Sequence, residues 1–152
     1  MSLPVLAPFT GTAVPLGDVP DPVFAQGLLG PGAAVIPADD ATQLTVLAPT
    51  AGTVMKAMPH AVALVTDTGH GVLLHVGIDT VQLKGDGFEV LVDKKQTVST
   101  GQELLRVDAT AVRARGYNLI SPVVLMDAEA AQVTNPANGP VNVSDPLFQI
   151  VG

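Results

Sequence analysis

At 152 residues the chain is long enough for one domain that buries about two-thirds of its unfolded surface. Its net charge of −7, with only 7 Lys and Arg, argues against binding a nucleic-acid backbone and suits a cationic protein partner steered by an acidic field. Cysteine is absent, which excludes disulfides, thiolate metal sites and cysteine nucleophiles.

Hydrophobic residues make up 47% of the chain but aromatics only 3%, so the core must be filled by Val, Leu, Ile and Ala. The 15 glycines and 13 prolines punctuate the sequence too often for long helices. Met1-Ser2-Leu3-Pro4-Val5-Leu6 has no basic region and meets a proline early, unlike a signal peptide. No apolar stretch is long enough to span a bilayer, so a soluble, cytoplasmic protein is expected. The ends lie close to the domain, which favours a free-standing protein and leaves open a domain cut from a larger transporter.

In chain order, the first element is Leu6-Ala7-Pro8-Phe9-Thr10-Gly11-Thr12-Ala13, read as a strand entering a turn. It returns 41 residues later as Leu47-Ala48-Pro49-Thr50-Ala51-Gly52-Thr53-Val54, identical at 5 of 8 positions. In each copy proline marks the entry and glycine supplies unusual backbone angles. Ala61 to Thr66 and Gly71 to Val76 then flank Asp67-Thr68-Gly69, a hairpin signal. Phe88 to Val92 and Glu103 to Val107 are further strands. Asp108 caps a short helix over 109–115 that Gly116 ends. Val123 to Met126 and Leu147 to Val151 close the set. These elements predict a single all-β domain over 1–152: an antiparallel sandwich or barrel of pseudo-repeated halves, with short helices at most.

The histidines number three: His60, His70 and His75. Alternation along the strand places Leu73 and His75 on one face and Val72, Leu74 and Val76 on the other. By the same rule His60 shares a face with Val62 and Leu64. Pairing through the turn brings His60 almost opposite His75, within hydrogen-bonding reach if both occupy one sheet face. His70, at the turn, is expected to be exposed. From spacing alone the pair is as compatible with structural histidines as with catalytic ones.

The segment from His75 shifts that balance. His75-Val76-Gly77-Ile78-Asp79-Thr80-Val81-Gln82-Leu83-Lys84-Gly85-Asp86-Gly87-Phe88 closely resembles the active-site signature of the glucose-type IIA components of the bacterial sugar phosphotransferase system. So do Asp18-Val19-Pro20-Asp21-Pro22-Val23-Phe24-Ala25, the turn 48–54 and Pro59-His60-Ala61, in consistent order from Ala7 to Ile150. The resemblance implies that His75 receives a phosphoryl group from the phosphocarrier HPr and passes it to the IIB domain of a sugar permease. It implies that His60 supports the transferred group without being phosphorylated, and that the Gly77 carbonyl holds the proximal ring proton of His75. Asp21 and Asp79 match carboxylates that meet arginine on HPr. Val23, Phe24, Leu73 and Val81 match an apolar collar around the histidines. No cofactor or metal is implied, since the phosphate is carried covalently on His75; regulatory proteins are possible further partners.

The chemistry agrees. Phosphoryl transfer depends mainly on positioning and charge stabilisation. Neutral imidazole is nucleophilic near pH 7, and a hydrogen bond to one ring nitrogen leaves the other's lone pair facing the donor. Aspartates repel phosphate directly but suit docking to a basic partner. Two departures stand out: Met58 and Pro59 occupy positions where relatives often place a hydroxyl or amide, and Ala63 and Leu73 are smaller than the usual phenylalanines. Two other classes compete. A zinc peptidase of the lysostaphin type would need His60, His70, His75 and Asp79 to converge, and a biotinyl or lipoyl carrier would need Lys56 on a protruding hairpin.

Overall fold

The computed structural model describes residues 2–151, and its regular structure is mostly strand. In chain order the described strands are β1 (Ser2–Leu6), β2 (Gly11–Pro15), β3 (Gly32–Pro37), β4 (Gln43–Leu47), β5 (Gly52–Met58), β6 (Ala61–Val65) and β7 (Gly71–His75), followed by β8 (Phe88–Val90), β9 (Thr97–Val98), β10 (Glu103–Asp108), β11 (Ser121–Met126), β12 (Val133–Thr134), β13 (Gly139–Val141) and β14 (Pro146–Val151). Two short α-helices intervene, α1 (Pro22–Ala25) and α2 (Ala109–Ala114), with 3-10 turns at Leu16–Asp18, Thr80–Leu83 and Ala130–Gln132. The large sheet has the order β13-β2-β3-β11-β7-β6-β5-β9, and two three-stranded sheets run β1-β14-β12 and β4-β10-β8. The result is an antiparallel all-β sandwich.

The main core draws on all three sheets. Val5, Val46, Leu104, Leu105, Phe148 and Ile150 meet Val62, Leu64, Val72, Leu74, Val123 and Leu125, each 1% exposed or less. Most of these side chains alternate, as in the burial of Val72 and Leu74 around half-buried Leu73 on β7, while the consecutive Leu104 and Leu105 sit at the register shift of β10. A second, smaller apolar cluster of Leu16, Val19, Phe24, Ala34, Ile78, Ile120 and Val124 lies apart from the first, with Leu73 packed against it. It covers the other face of the large sheet, and the site is built beside it.

The repeated octapeptide marks a pseudo-twofold. The Leu6 amide donates to the Pro49 carbonyl at 2.9 Å, and the Leu47 amide, 41 positions on, donates to the Pro8 carbonyl at 3.0 Å. β1 pairs with β14 as β4 pairs with β10, each with a register shift at the same place. The turn that receives each copy also repeats: Ser144 donates to the Ala7 carbonyl at 3.0 Å and Gly101 to the Ala48 carbonyl at 2.9 Å. The two halves meet at β11 and β7 in the middle of the large sheet.

Helix α2 follows from its ends. The Asp108 carboxylate accepts from the Ala111 amide at 2.9 Å, the bond of a capping aspartate, and Gly116 takes a φ of +89° that glycine adopts freely. The helix spans 109–114, one residue short of the expected range, because Arg115 leaves helical geometry as the C-cap. Helix α1 was not expected: four residues show no periodicity. Its Asp21 cap, which accepts from the Val23 amide at 2.9 Å, and Pro22 at the first helical position are the signals that do mark it.

Candidate functional site

The site lies at the open end of the β6–β7 hairpin, remote from its turn. The strands pair with Val65 opposite Gly71 and Ala61 opposite His75, and the Val76 amide donates to the His60 carbonyl at 2.7 Å. On its other side β7 pairs with β11 only as far as Leu74 with Val123. The next partner of His75 would be Pro122, which has no amide hydrogen to offer. The ladder stops there, and the chain after His75 is free to turn away through Gly77 at φ +79° and Asp79 at φ +59°.

That turn brings the backbone back to its own histidine. His75 Nδ1 lies 2.7 Å from the Gly77 carbonyl oxygen. A carbonyl can only accept, so Nδ1 carries the proton and Nε2 keeps its lone pair. The His60 ring stands edge-on to the His75 ring, with centroids 5.1 Å apart and planes at 75°. Phe24, from helix α1, packs against the His75 ring at the same centroid distance and is itself buried. His60 is buried and His75 half-buried.

The position of His60 corrects the alternation reading. Strand β6 starts at Ala61, so His60 belongs to the preceding turn and its side chain does not follow Val62 and Leu64 toward the core. Strict alternation would have put the two histidines on opposite faces of the sheet, since Val62 faces Leu74 rather than His75. The turn at Pro59 and His60 rotates the ring onto the His75 side.

Burial pushes both histidines below the ordinary value of 6.5, and the nearby His75 lowers His60 further. For His75 the Gly77 carbonyl and the carboxylates of Asp21 and Asp79 act in the opposite direction, without cancelling the effect of burial. The neutral form of both rings therefore predominates at pH 7. An uncharged His75 with a fixed Nδ1–H presents a basic, nucleophilic Nε2.

Around the rings the collar residues divide. Phe24 is buried on the His75 ring and half-buried Leu73 packs against the same apolar cluster as Phe24, while Val23 and Val81 stand exposed at 41% and 57%. Leu28 is a further exposed apolar residue, tied to Val23, that sequence reasoning did not single out. It is 68% exposed, and its amide bonds back to the Val23 carbonyl at 3.1 Å. An apolar Leu28-Leu29 pair between Gly27 and Gly30, in a loop, was the signal available. Met58 and Pro59 are half-buried beside His60 in sequence and offer it no side-chain hydroxyl or amide.

The pseudo-twofold shows that only one half carries this arrangement. The Leu125 amide donates to the Pro31 carbonyl at 2.8 Å, the counterpart of the Val76–His60 bond. Pro31 and Val124 thus stand where the other half has His60 and His75, and Val124 is fully buried under the second apolar cluster.

The family model for the phosphoenolpyruvate-dependent sugar phosphotransferase system, EIIA 1, matches residues 3–131. The chain belongs to this family. It is 47% identical over 126 residues to the mannose-specific EIIBCA component of Corynebacterium glutamicum, which covers 82% of this chain but 18% of that protein. It is 39% identical over 133 residues to the glucose-specific EIIA component of Staphylococcus aureus, covering 86% of this chain and 78% of that one. The glucose permease IIA from Mycoplasma capricolum has the same fold, with a TM-score of 0.89 and 34% identity across 98% of this chain and 96% of that one. The chain therefore spans under a fifth of the length of its multidomain relatives and most of the length of the single-component ones.

In this EIIA chain the remaining candidates stand apart from the histidine pair. His70 is half-buried, not exposed, because its Nδ1 bonds the Thr68 hydroxyl at 2.7 Å and folds the ring onto its own turn. Five residues of strand, about 16 Å at 3.3 Å per residue, separate it from His75. Among the described residues no three histidine, aspartate or glutamate side chains gather as metal ligands. Lys56 is an exposed residue within β5, opposite Ala63, and not on a hairpin tip. Among the described residues no helix is long and apolar enough to cross a membrane.

Proposed function

We propose that this chain is a phosphoryl carrier, accepting the group on His75 Nε2 from phosphorylated HPr and handing it to the IIB domain of a sugar permease, in the cytoplasm. The observation that supports this most directly is the 2.7 Å bond from His75 Nδ1 to the Gly77 carbonyl, which leaves Nε2 as the free nucleophile. As the lone pair of Nε2 bonds phosphorus, the P–N bond of the donor breaks and its electron pair returns to the donor nitrogen. No proton on this chain has to move, because the ring proton stays on Nδ1, donated to the Gly77 carbonyl. The ring becomes formally cationic in the adduct, and the Gly77 carbonyl with Asp21 and Asp79 favours that charge, as their upward pull on the His75 pKa indicates. The chain calls for no cofactor in this step.

His60 supports the arriving group from the adjacent ring, and Phe24 and Leu73 keep one side of the phosphohistidine dry. The exposed Val23, Val81 and Leu28 supply apolar area for docking, and Asp21 and Asp79 the charges that meet a basic partner. The net charge of −7 speeds encounter with such a partner and makes it sensitive to salt.

The test is intact-protein mass after incubation with phosphoenolpyruvate, enzyme I and HPr. Wild type should gain one acid-labile phosphoryl group, the His75→Gln variant none, and the His60→Gln variant should accept the group but deliver it poorly. Phosphorylated HPr beside an unmodified wild type would end the carrier reading. Full labelling of His75→Gln with none on His60→Gln would reverse the two roles.

A further inference from the structure

We infer that Thr80 is a positioning residue for His75, acting through the backbone that orients the ring; the inference rests on the carrier reading above. Thr80 is 1% exposed, and its Oγ1 donates to the Val76 carbonyl at 2.6 Å. Threonine hydroxyls commonly bond back to the carbonyl four residues earlier inside helices. Here Val76 lies outside any helix, because Thr80 is the first residue of its 3-10 turn and Val76 follows the end of β7. The bond therefore ties the strand end to the turn instead of decorating a helix.

What it ties is the peptide next to the catalytic carbonyl. Val76 is held on both sides, its amide by the His60 carbonyl at 2.7 Å and its carbonyl by Thr80. The next residue, Gly77, has no side chain to restrain it and sits at φ +79°. Its far peptide is held by the Ile78 amide donating to the Asn118 carbonyl at 2.9 Å. The Gly77 carbonyl belongs to this second peptide, and with the peptides on both sides of Gly77 held it is aimed at His75 Nδ1. The Thr80 methyl adds a steric stop, since Cγ2 lies 2.6 Å from where a Cβ on Gly77 would be. Removing the hydroxyl releases the Val76–Gly77 peptide, and the Gly77 carbonyl can then rotate off Nδ1. The ring loses the preference that keeps its proton there and Nε2 unprotonated.

The test compares wild type with Thr80→Val and Thr80→Ser by two readouts. The first is the tautomer of His75 from long-range nitrogen–proton NMR of the unphosphorylated protein. The second is kcat and KM for phosphoryl acceptance from phosphorylated HPr. Thr80→Val should shift His75 from a pure Nδ1–H form to a mixture. Its kcat should fall on the order of 10- to 100-fold, the range found when the partner that orients a metal-bound histidine is removed, with KM little changed. Thr80→Ser, which keeps the donor and loses the methyl, should keep the wild-type tautomer. If Thr80→Val does not fold, Thr80→Cys, a near isostere of serine with a weaker donor, gives the same comparison. A wild-type tautomer and kcat in a folded variant lacking the hydroxyl, even one with a lower melting temperature, would overturn the inference and leave Thr80 a packing residue. Because the tautomer is read without phosphate, a wild type that accepts no phosphoryl group ends the carrier reading but still lets the spectra decide on Thr80.

Discussion

Replacing Gly77 by alanine puts the geometry of the site under the most direct strain. At φ +79° the new side chain enters the left-handed region, which costs an L-residue about 1–2 kcal/mol. Its Cβ would sit 2.6 Å from Thr80 Cγ2 and 3.0 Å from the Asn118 carbonyl oxygen. Neither neighbour can swing aside freely: Thr80 is buried and hydrogen-bonded, and the Asn118 oxygen is backbone that already accepts the Ile78 amide. Overpacking of this kind adds about 1–3 kcal/mol. The total, about 2–5 kcal/mol, corresponds to a melting temperature lowered by roughly 5–15 °C for a chain of this size. The backbone shift that relieves the overlap also moves the Gly77 carbonyl from His75 Nδ1, so phosphoryl acceptance should fall while HPr still docks. Denaturant and thermal unfolding, run beside the rate assay, measure both effects. Repeating Gly77→Ala on a Thr80→Ser background removes the methyl contact and should recover part of the stability. Equal losses on both backgrounds would show that the threonine methyl is not in the way. A Gly77→Ala variant within about 0.5 kcal/mol of wild type, the range of an ordinary surface change, would refute the claim that this turn requires glycine.

Three further outcomes follow from the same geometry. Both site histidines are pushed below 6.5 in the folded state, so under acid conditions the unfolded chain binds more protons; their contribution to stability is complete above 6.5 and is lost as pH falls through the lowered folded values. A double His60→Gln, His75→Gln variant should thus show a flatter decline of unfolding free energy below pH 6.5, and an unchanged acid limb in denaturant titrations would contradict this assignment. Asp21→Asn keeps a side-chain acceptor for the Val23 amide but loses the charge that raises His75, so an NMR titration should find His75 lower still with stability nearly constant; Asp21→Ala should in addition lose a cap of about 1 kcal/mol. Asp108→Ala should destabilise the protein by about 1 kcal/mol through the exposed cap of α2, measured by chemical denaturation, with phosphoryl acceptance untouched.

Much of the fold was legible because its signals are local. The β6–β7 hairpin is two apolar runs around a turn with Gly69 at φ +84°, and the octapeptide echo stands for two halves whose hydrogen bonds repeat in space. Short strands such as β9 and β12, two residues each, carry no pattern long enough to read, and they exist because longer neighbours offer them an edge. The His75 segment was legible as a motif, and His60 as its companion, although the face assigned to His60 was wrong because alternation was extended past the strand's first residue.

By itself the sequence determined the all-β class, the repeated halves, the capped helix and the histidine that faces away from the main core, since each depends on residues a few positions apart. Tertiary structure alone decided that Phe24 lies on the ring of His75, that Pro122 ends the β7 ladder beside it and that Thr80 anchors the peptide next to Gly77. It also decided that one half of the pseudo-twofold holds histidines where the other holds Pro31 and Val124 as packing. Apart from the Thr80–Val76 bond, which spans four positions, those relations join segments 47 to 93 residues apart in the chain. The energies of the long-range ones come from sheet register and burial in a shared apolar layer, and no window of local sequence contains both partners.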